Sequence, residues 1–202
     1  RVFAHLDARG GEPALSNPLV FSVLEDRLGW LWVGTLGGGL TRFADWRGGQ
    51  PVRYGAERGF WGNRVSALFE DKSGTVWAGS ERGLFRLDSG KAGFFHVLPP
   101  GETKARMMVT HIGEGDDGRL WVSTLNDGIF AFHPDRESAW LHWDEHKVLR
   151  SSKVFCTFQD SRGRIWVAYQ EAGLDVLRGD GSRDTPLGSN GQVDGLTSPT
   201  II

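Results

Sequence analysis

A tryptophan recurs in this chain at positions 32, 77, 121 and 166, spacings of 45, 44 and 45 residues, and each lies in the same short pattern. Four segments align around it, starting at Val20, Val65, Val109 and Val154 and ending at Thr35, Ser80, Thr124 and Tyr169. In each, a β-branched or aromatic run leads to Asp-x-x-Gly, with Gly115 in place of the aspartate in the third copy. An apolar-Trp-apolar triplet comes next, then a small residue: Gly34, Gly79, Ser123 or Ala168. A further glycine comes at 39, 83, 128 and 173, with Leu40, Leu84, Ile129 and Leu174 directly after it. Self-similarity at this pitch marks repeated supersecondary units, none of which buries its apolar face alone.

Each unit reads as four strands. The first, such as Val65 to Phe69, ends in the Asp-x-x-Gly turn, where the carboxylate accepts a backbone N–H and glycine takes a positive φ. The second is Thr75 to Ala78 and its equivalents, the third Leu84 to Leu87, and the fourth Phe94 to Val97 or Trp140 to Trp143. Four antiparallel strands every ~45 residues match a β-propeller blade. The second strand supports this reading, because it is apolar on both faces, as in Leu31-Trp32-Val33 and Ile165-Trp166-Val167. A strand with one wet face would alternate, and the small residue after each triplet fits a place where sheets crowd. The expected fold is all-β: a β-propeller segment of four full four-stranded antiparallel blades, with partial blades at both ends. The blades fall at about 16–58, 59–104, 105–149 and 150–190, and the partial ones at 1–15 and 191–202. Arg1 to Arg9 reads as the last strand of an earlier blade, and Gly195 to Ile202 aligns with the lead-in Gly59 to Ser66. Propellers close with roughly 4–8 blades, and closure hides edge strands. The chain is therefore expected to belong to a longer polypeptide, with self-association as the other solution.

Composition narrows the function classes. Glycine is 29 of 202 residues, about twice the usual ~7%, and there are nine tryptophans. That pairing means many tight turns around an aromatic core, not disorder. A formal charge of −2 argues against a nucleic-acid tail or a polybasic membrane patch. No run approaches the roughly 18 apolar residues that cross a bilayer, and Arg1 to His5 reads as strand, not as a signal segment. The one cysteine, Cys156, excludes an intrachain disulfide and a CxxC zinc site.

The pattern V-x-x-L-x-E-D-x-x-G-x-L-W-V-G-T-x-x-G-G-L-x-R-F, nearly complete in Val20 to Phe43, resembles the two-component regulator propeller repeat. The resemblance runs from about Val20 to Leu177. It implies a periplasmic or extracellular sensor of a membrane-bound bacterial regulator, whose output is a cytoplasmic histidine kinase, DNA-binding regulator or diguanylate cyclase. Hybrid two-component sensors of this kind carry two consecutive seven-bladed propellers and recognise glycan fragments. The departures, namely Gly115, Ser123, Ala168 and Tyr169, look structurally mild. Because the motif describes how blades are built, it fixes no ligand.

Candidate chemistry is sparse. His142-Trp143-Asp144-Glu145-His146 spells the inverted zinc-protease motif, which needs a helix to bring both histidines to one face. Here it begins in a fourth strand and ends in a loop. Gly115 to Gly118 and Asn126 to Gly128 sit where other repeats have plain turns, and no glutamate completes a calcium loop. Gly37-Gly38-Gly39 is followed by a strand and not by the Lys-Ser/Thr of a phosphate cradle. Cys156 reads as a small core residue, and the pairs Glu25-Asp26 and Glu70-Asp71 read as turn formers. No catalytic residue, metal ligand or cofactor is expected. Ligands on propellers meet the face that carries the loops between blades and between second and third strands. By register this face holds Trp61, Asn63, Arg64, Glu81, Arg82, Asn126, Asp127, Lys153, Tyr169, Gln170 and Glu171. Aromatics beside amides and charges suit a small molecule or oligosaccharide.

The expected function is a non-enzymatic, periplasmic or extracellular ligand-sensing propeller segment of a two-component-type signalling protein. Its partners would be the ligand and either the remaining blades of the same polypeptide or a homodimer. No nucleic acid would bind this segment, and the membrane would be reached only through a tether outside it. Two alternatives stay open. One is a propeller enzyme resembling streptogramin lyase, for which His111 is the only axial candidate; the other is a protein-interaction scaffold.

Overall fold

The computed structural model describes residues 15–44, 50–88, 90, 93–101, 107–179 and 182. The partial blades expected at the two ends lie outside these residues, Leu15 excepted. Blade one comprises β1 (Val20–Glu25), β2 (Leu31–Thr35), β3 (Gly39–Phe43) and β4 (Val52–Tyr54), hydrogen-bonded in that order. Blade two repeats the order with β5 (Val65–Glu70), β6 (Val76–Ser80), β7 (Gly83–Asp88) and β8 (Gly93–Val97). Blade three has β9 (Val109–Glu114), β10 (Leu120–Thr124), β11 (Ile129–His133) and β12 (Arg136–Trp143). Blade four has β13 (Val154–Gln159), β14 (Ile165–Tyr169) and β15 (Leu174–Leu177). Its expected fourth strand falls after residue 179, where only residue 182 is described. All paired strands are antiparallel neighbours in sequence, as a propeller blade requires. The chain divides into two compact units, residues 1–109 and 110–202.

The turn between first and second strands explains the Asp-x-x-Gly-x-x-Trp pattern atom by atom. Asp26 Oδ1 accepts the backbone N–H groups of Leu28 and Trp30, both at 3.0 Å, while Oδ2 accepts the Trp32 indole N–H at 2.7 Å. Asp71 does the same for Ser73, Thr75 and Trp77, at 2.9, 2.9 and 2.7 Å. Asp160 does it for Arg162, Arg164 and Trp166, at 2.9, 3.0 and 2.9 Å. The glycine three residues on has φ of 80°, 89° and 74° at Gly29, Gly74 and Gly163, which a side chain would resist. A carboxylate that is almost fully buried, as at Asp26 and Asp71, is tolerated because three donors replace its water. In blade three Gly115 supplies no carboxylate. The turn still closes through Gly118 N–H to Gly115 O at 3.0 Å, yet the buried Trp121 indole N–H has no hydrogen-bond acceptor among the described residues. Trp121 is held by packing instead, stacked on Trp143 at 5.1 Å and 19°.

Within each unit the blades bury their second strands against each other. In the first unit Trp32, Leu40 and Tyr54 of blade one form one cluster with Phe60, Val65, Val76, Ala78, Phe85 and Phe94 of blade two. In the second unit Trp121, Ile129, Ala131, Trp143 and Leu149 of blade three pack with Val154, Ile165, Val167 and Leu177 of blade four. Strands β6 and β10 are buried at every position, so neither face is wet. The small residue after each triplet lets the sheets approach. A Cβ built on Gly34 would lie 2.6 Å from Val65 Cγ1, inside contact distance. In blade three Ser123 takes that place, and its hydroxyl bonds Thr157 Oγ1 at 3.2 Å.

The residue before the turn aspartate has, in blades two and four, a role that pattern reading missed. Glu70 does not shape its own turn; it reaches back to blade one, accepting Arg27 N–H at 2.9 Å and pairing with Arg27 Nε at 2.8 Å. Gln159 reaches from blade four to blade three in the same way, accepting Asp116 N–H at 2.7 Å. The aspartate forms the turn and its predecessor clamps the neighbouring blade.

This turn chemistry has two measurable outcomes. Trp77→Phe strands a buried Asp71 oxygen, whereas Trp121→Phe strands nothing. Urea melts should therefore show Trp77→Phe losing about 1–3 kcal/mol more than Trp121→Phe. The Trp166 indole above all, then the Arg164 guanidinium and the backbone N–H groups of Arg164 and Arg162, hold the Asp160 carboxyl far below the usual carboxylate range. A depressed native pKa means that the unfolded chain binds the proton first. This stabilisation is therefore complete above about pH 4 and is lost as pH falls below it. Asp160→Asn should flatten that acid limb in pH-dependent melts.

Candidate functional site

The loops leading into each blade and the turns between second and third strands are stitched together by backbone hydrogen bonds. In the first unit Gly37 N–H and Gly39 N–H both donate to Asn63 O, at 2.9 and 3.0 Å. Leu36 bridges to Arg64. Asn63 N–H and Arg64 N–H then donate to the Glu81 carboxylate, at 3.1 and 2.8 Å. The lead-in loop of blade two is thus clipped both to the turn of blade one and to its own blade's turn. Glycine is needed at Gly39, where φ is 67° and a Cβ would sit 3.3 Å from Gly62 O.

These clips bring Asn63, Arg64, Glu81 and Arg82 to one rim. The Arg82 side chain is exposed, and its Nε lies 3.6 Å from Glu81 Oε1. Trp61, also exposed, stands edge-on against Phe85 at 5.2 Å and against His96 at 5.3 Å. His96 in turn stacks on Phe85 at 4.9 Å, and its Nε2 lies 3.0 Å from Arg82 O. A carbonyl only accepts, so Nε2 carries the hydrogen; burial lowers the His96 pKa and favours this neutral form. Arg64 lies elsewhere on the rim, its guanidinium 5.6 Å from the Phe21 ring centre.

The second unit repeats the stitching. Gly128 N–H donates to Ser152 O at 2.9 Å, and Gln170 N–H donates to Lys153 O at 3.1 Å. Asn126, Asp127, Lys153, Gln170 and Glu171 are all exposed on this rim. Lys153 Nζ is 3.5 Å from Glu171 Oε2, and Asp127 N–H is fixed by Thr124 Oγ1 at 2.9 Å. The histidine brace recurs as well: His142 stacks on Phe130 at 4.2 Å and 5°, with Nε2 2.7 Å from Asp127 O. Sequence reading missed this brace. Its signal was present in register, since His96 and His142 face Phe85 and Phe130 across the third and fourth strands of their blades.

Tyr169 corrects the expected surface. Repeat register puts it on the loop face, but its ring is fully buried. In the other repeats this position holds a short hydroxyl, and Thr35 and Thr124 bond the carbonyls of Gly39 and Gly128. The longer phenol reaches past the turn: Tyr169 OH donates to Asp175 Oδ2 at 2.9 Å and accepts Arg150 N–H at 3.2 Å. Arg150 Nε completes the network, 3.1 Å from Asp175 Oδ1. The substitution is a packing element with its own buried counter-charge.

The remaining candidates fall where their local structure directs. His142 lies within β12, one residue before its end, while His146 comes later in a turn where its N–H bonds Asp144 Oδ1 at 3.0 Å. The two share no helix face. Among the described residues no group of three or more His, Cys, Asp or Glu could hold a metal ion. On β9, the buried His111 Nδ1 has no partner among the described residues, and desolvation lowers its pKa, which favours the neutral imidazole. Cys156 is half-buried opposite Ala168, and burial raises its thiol pKa. No helix among the described residues is long and apolar enough to cross a membrane. Chemically, the rim offers a braced indole with amides and charges on stiff backbone, which suits recognition.

The repeated sheets, the carboxylate-capped tryptophans and the loop rim define a β-propeller segment. The two component regulator propeller family model matches residues 14–37, 59–82 and 148–170. These matches fall in the first, second and fourth repeats; the third carries Gly115. No curated protein matches the chain significantly in sequence. Among solved structures it resembles the extracellular domain of BT4673 from B. thetaiotaomicron, assigned as a hybrid two component system. That match has a TM-score of 0.72 and 24% identity, and covers 85% of this chain and 25% of that one. The extracellular domain of BT3049 from the same organism, assigned likewise, gives 0.69 and 24%, covering 86% and 25%. Virginiamycin B lyase from Staphylococcus aureus gives 0.63 at 12% identity, covering 88% and 59%. The chain thus spans a quarter of the length of the two extracellular domains, and at these identities the likeness is one of fold.

The Tyr169 network makes a prediction that separates core from rim. Tyr169→Phe should lower stability by about 1–2 kcal/mol in chemical melts, because it leaves Asp175 short of one buried donor. It should leave the affinity of any rim ligand unchanged.

Proposed function

We propose that this chain is a non-enzymatic ligand-sensing segment of the extracellular or periplasmic region of a membrane-bound two-component-type regulator. The observation that carries the reading is the repeat: matched blades of the two component regulator propeller family, in a fold shared with extracellular domains assigned to hybrid two component systems. Ligand would contact the loop rim, through Trp61, Asn63, Arg64 and Arg82 in one unit and Asn126, Asp127, Lys153 and Gln170 in the other. An oligosaccharide fits the chemistry best. Trp61 presents an exposed apolar ring, its geometry fixed by Phe85 and His96, next to cationic and amide donors. Such a ring stacks on a sugar face while the polar groups bond hydroxyls.

Signalling needs only that ligand bind two arrangements of the sensor with different affinity. The output domain and any catalysis it performs would lie elsewhere in the polypeptide. A glycan array, followed by calorimetry on the complete extracellular region, tests the proposal. Trp61→Ala should weaken a captured oligosaccharide about tenfold or more, equivalent to ~1.4 kcal/mol, with the thermal midpoint almost unchanged. Capture of no glycan, or affinity untouched by both Trp61→Ala and Lys153→Ala, would sink the glycan reading.

A further inference from the structure

Where blade one meets blade two, two arginines flank one phenol. Tyr54 of β4 lies opposite Leu40, a place that holds Val97 in blade two and Trp143 in blade three. Its ring is buried, 5.3 Å from that of Trp32 and 5.3 Å from that of Phe94 in blade two. Arg42 of β3 stacks on Trp30, with its Cζ 3.5 Å from that ring centre and 5.9 Å from the centre of Tyr54. Arg58, at the end of the short 3-10 helix Ala56–Arg58, brings its Cζ within 5.5 Å of the same Tyr54 ring. Burial raises the Tyr54 pKa against the charges of both guanidiniums, so the hydroxyl keeps its proton and remains a donor.

Arg42, Arg58 and the Tyr54 hydroxyl make no hydrogen bond or ion pair to any described residue. Two described carboxylates that could answer them are turned elsewhere. Asp26 accepts from Leu28, Trp30 and the Trp32 indole. Glu57 folds back over Gly55, where a Cβ would lie 2.5 Å from its Oε2. Stacking covers the face of a guanidinium and leaves its N–H edge, a planar fork that fits oxyanions. Like charges held against one ring also repel each other, and an anion between them removes that cost. Arg42 is half-buried and Arg58 exposed, so the cluster is reached from solvent. We propose that Arg42, Arg58 and Tyr54 form a binding site for a doubly charged oxyanion, sulfate or phosphate. Two cations and a neutral donor match a charge of −2 better than the single charge of a carboxylate. The site shares no residue with the loop rim and does not depend on the sensing reading.

Calorimetry on the complete polypeptide tests it, with sodium sulfate or sodium phosphate titrated at fixed ionic strength. Binding must be read directly, because sulfate stabilises folded proteins generally by exclusion from their surface. Both anions should saturate one site, with acetate at least about tenfold weaker. Arg58→Gln changes an exposed side chain and Tyr54→Phe removes one hydroxyl; each should weaken sulfate about threefold or more. Arg53→Gln removes the same charge from the opposite face of β4 and should leave the affinity within about twofold. Glucose 6-phosphate separates two sources of the ligand. Tighter binding than inorganic phosphate assigns the site to a phosphate ester, and equal or weaker binding assigns it to the free anion. The proposal is overturned if neither sulfate nor phosphate saturates, or if acetate binds as tightly as they do. It is equally overturned if Arg58→Gln and Tyr54→Phe leave the affinity untouched, or if Arg53→Gln lowers it as much as Arg58→Gln.

Discussion

One hydrogen-bonded carboxylate organises each repeat. An aspartate at the end of a first strand accepts two backbone N–H groups, which turns the chain, and with its other oxygen accepts an indole N–H six residues on. That second bond fixes the largest side chain of the blade in one orientation. A tryptophan so held presents a defined surface against which the next sheet can pack. Local turn chemistry and packing between blades are therefore the same event seen at two ranges. Agreement of this kind across levels gives a sequence one answer. Blade three shows the limit of the rule. Without a carboxylate at Gly115, Trp121 keeps its place by stacking on Trp143, in a blade that has Ala131 where blades one and two have Arg42 and Arg86.

Packing between blades adds a constraint that falls on small residues. Gly34 lies under Val65 so closely that a methyl group would collide, whereas Ser123 serves where its hydroxyl finds Thr157. The spacing between sheets is set by these few positions and not by the average bulk of the core. Charge enters at the rim of the same interface. Glu70 with Arg27 and Gln159 with Asp116 make equivalent contacts of different electrostatic kind, so adjacent repeats are not interchangeable even where their backbones share one register. Such pairs are modest in energy when exposed. Their value lies in specifying neighbours.

Much of this was legible in the sequence because strand pitch, turn residues and the double-faced second strand are local patterns. Strand order and the burial of Trp32, Trp77 and Trp121 could be read from spacing. What escaped depends on contacts between separate segments, some of them 43 residues apart, which no local period reports. Glu70 reads as part of an acidic pair at a turn until its partner in the previous blade is seen. Tyr169 reads as a loop aromatic because its position carries a small hydroxyl elsewhere; only the placement of Asp175 and Arg150 shows why it points inward. The His96–Phe85 and His142–Phe130 braces lay in plain register, yet strand four is the least regular part of the repeat and hid them.

The stiffness of the rim bears on how such a segment would report a ligand. The lead-in loops of blades two and four are each tied to the turn of the preceding blade and to that of their own, and exposed Trp61 is braced by two rings. A ligand landing there meets groups already in place, so little of its binding free energy goes into ordering loops. The same ties leave little room for a loop to move alone. Any change that ligand favours is then expressed at the borders between rigid bodies, where one blade or domain meets another, since packed interfaces switch between discrete arrangements more readily than they deform. Under the proposed function, binding and response would thus fall at different places because of the same set of backbone hydrogen bonds.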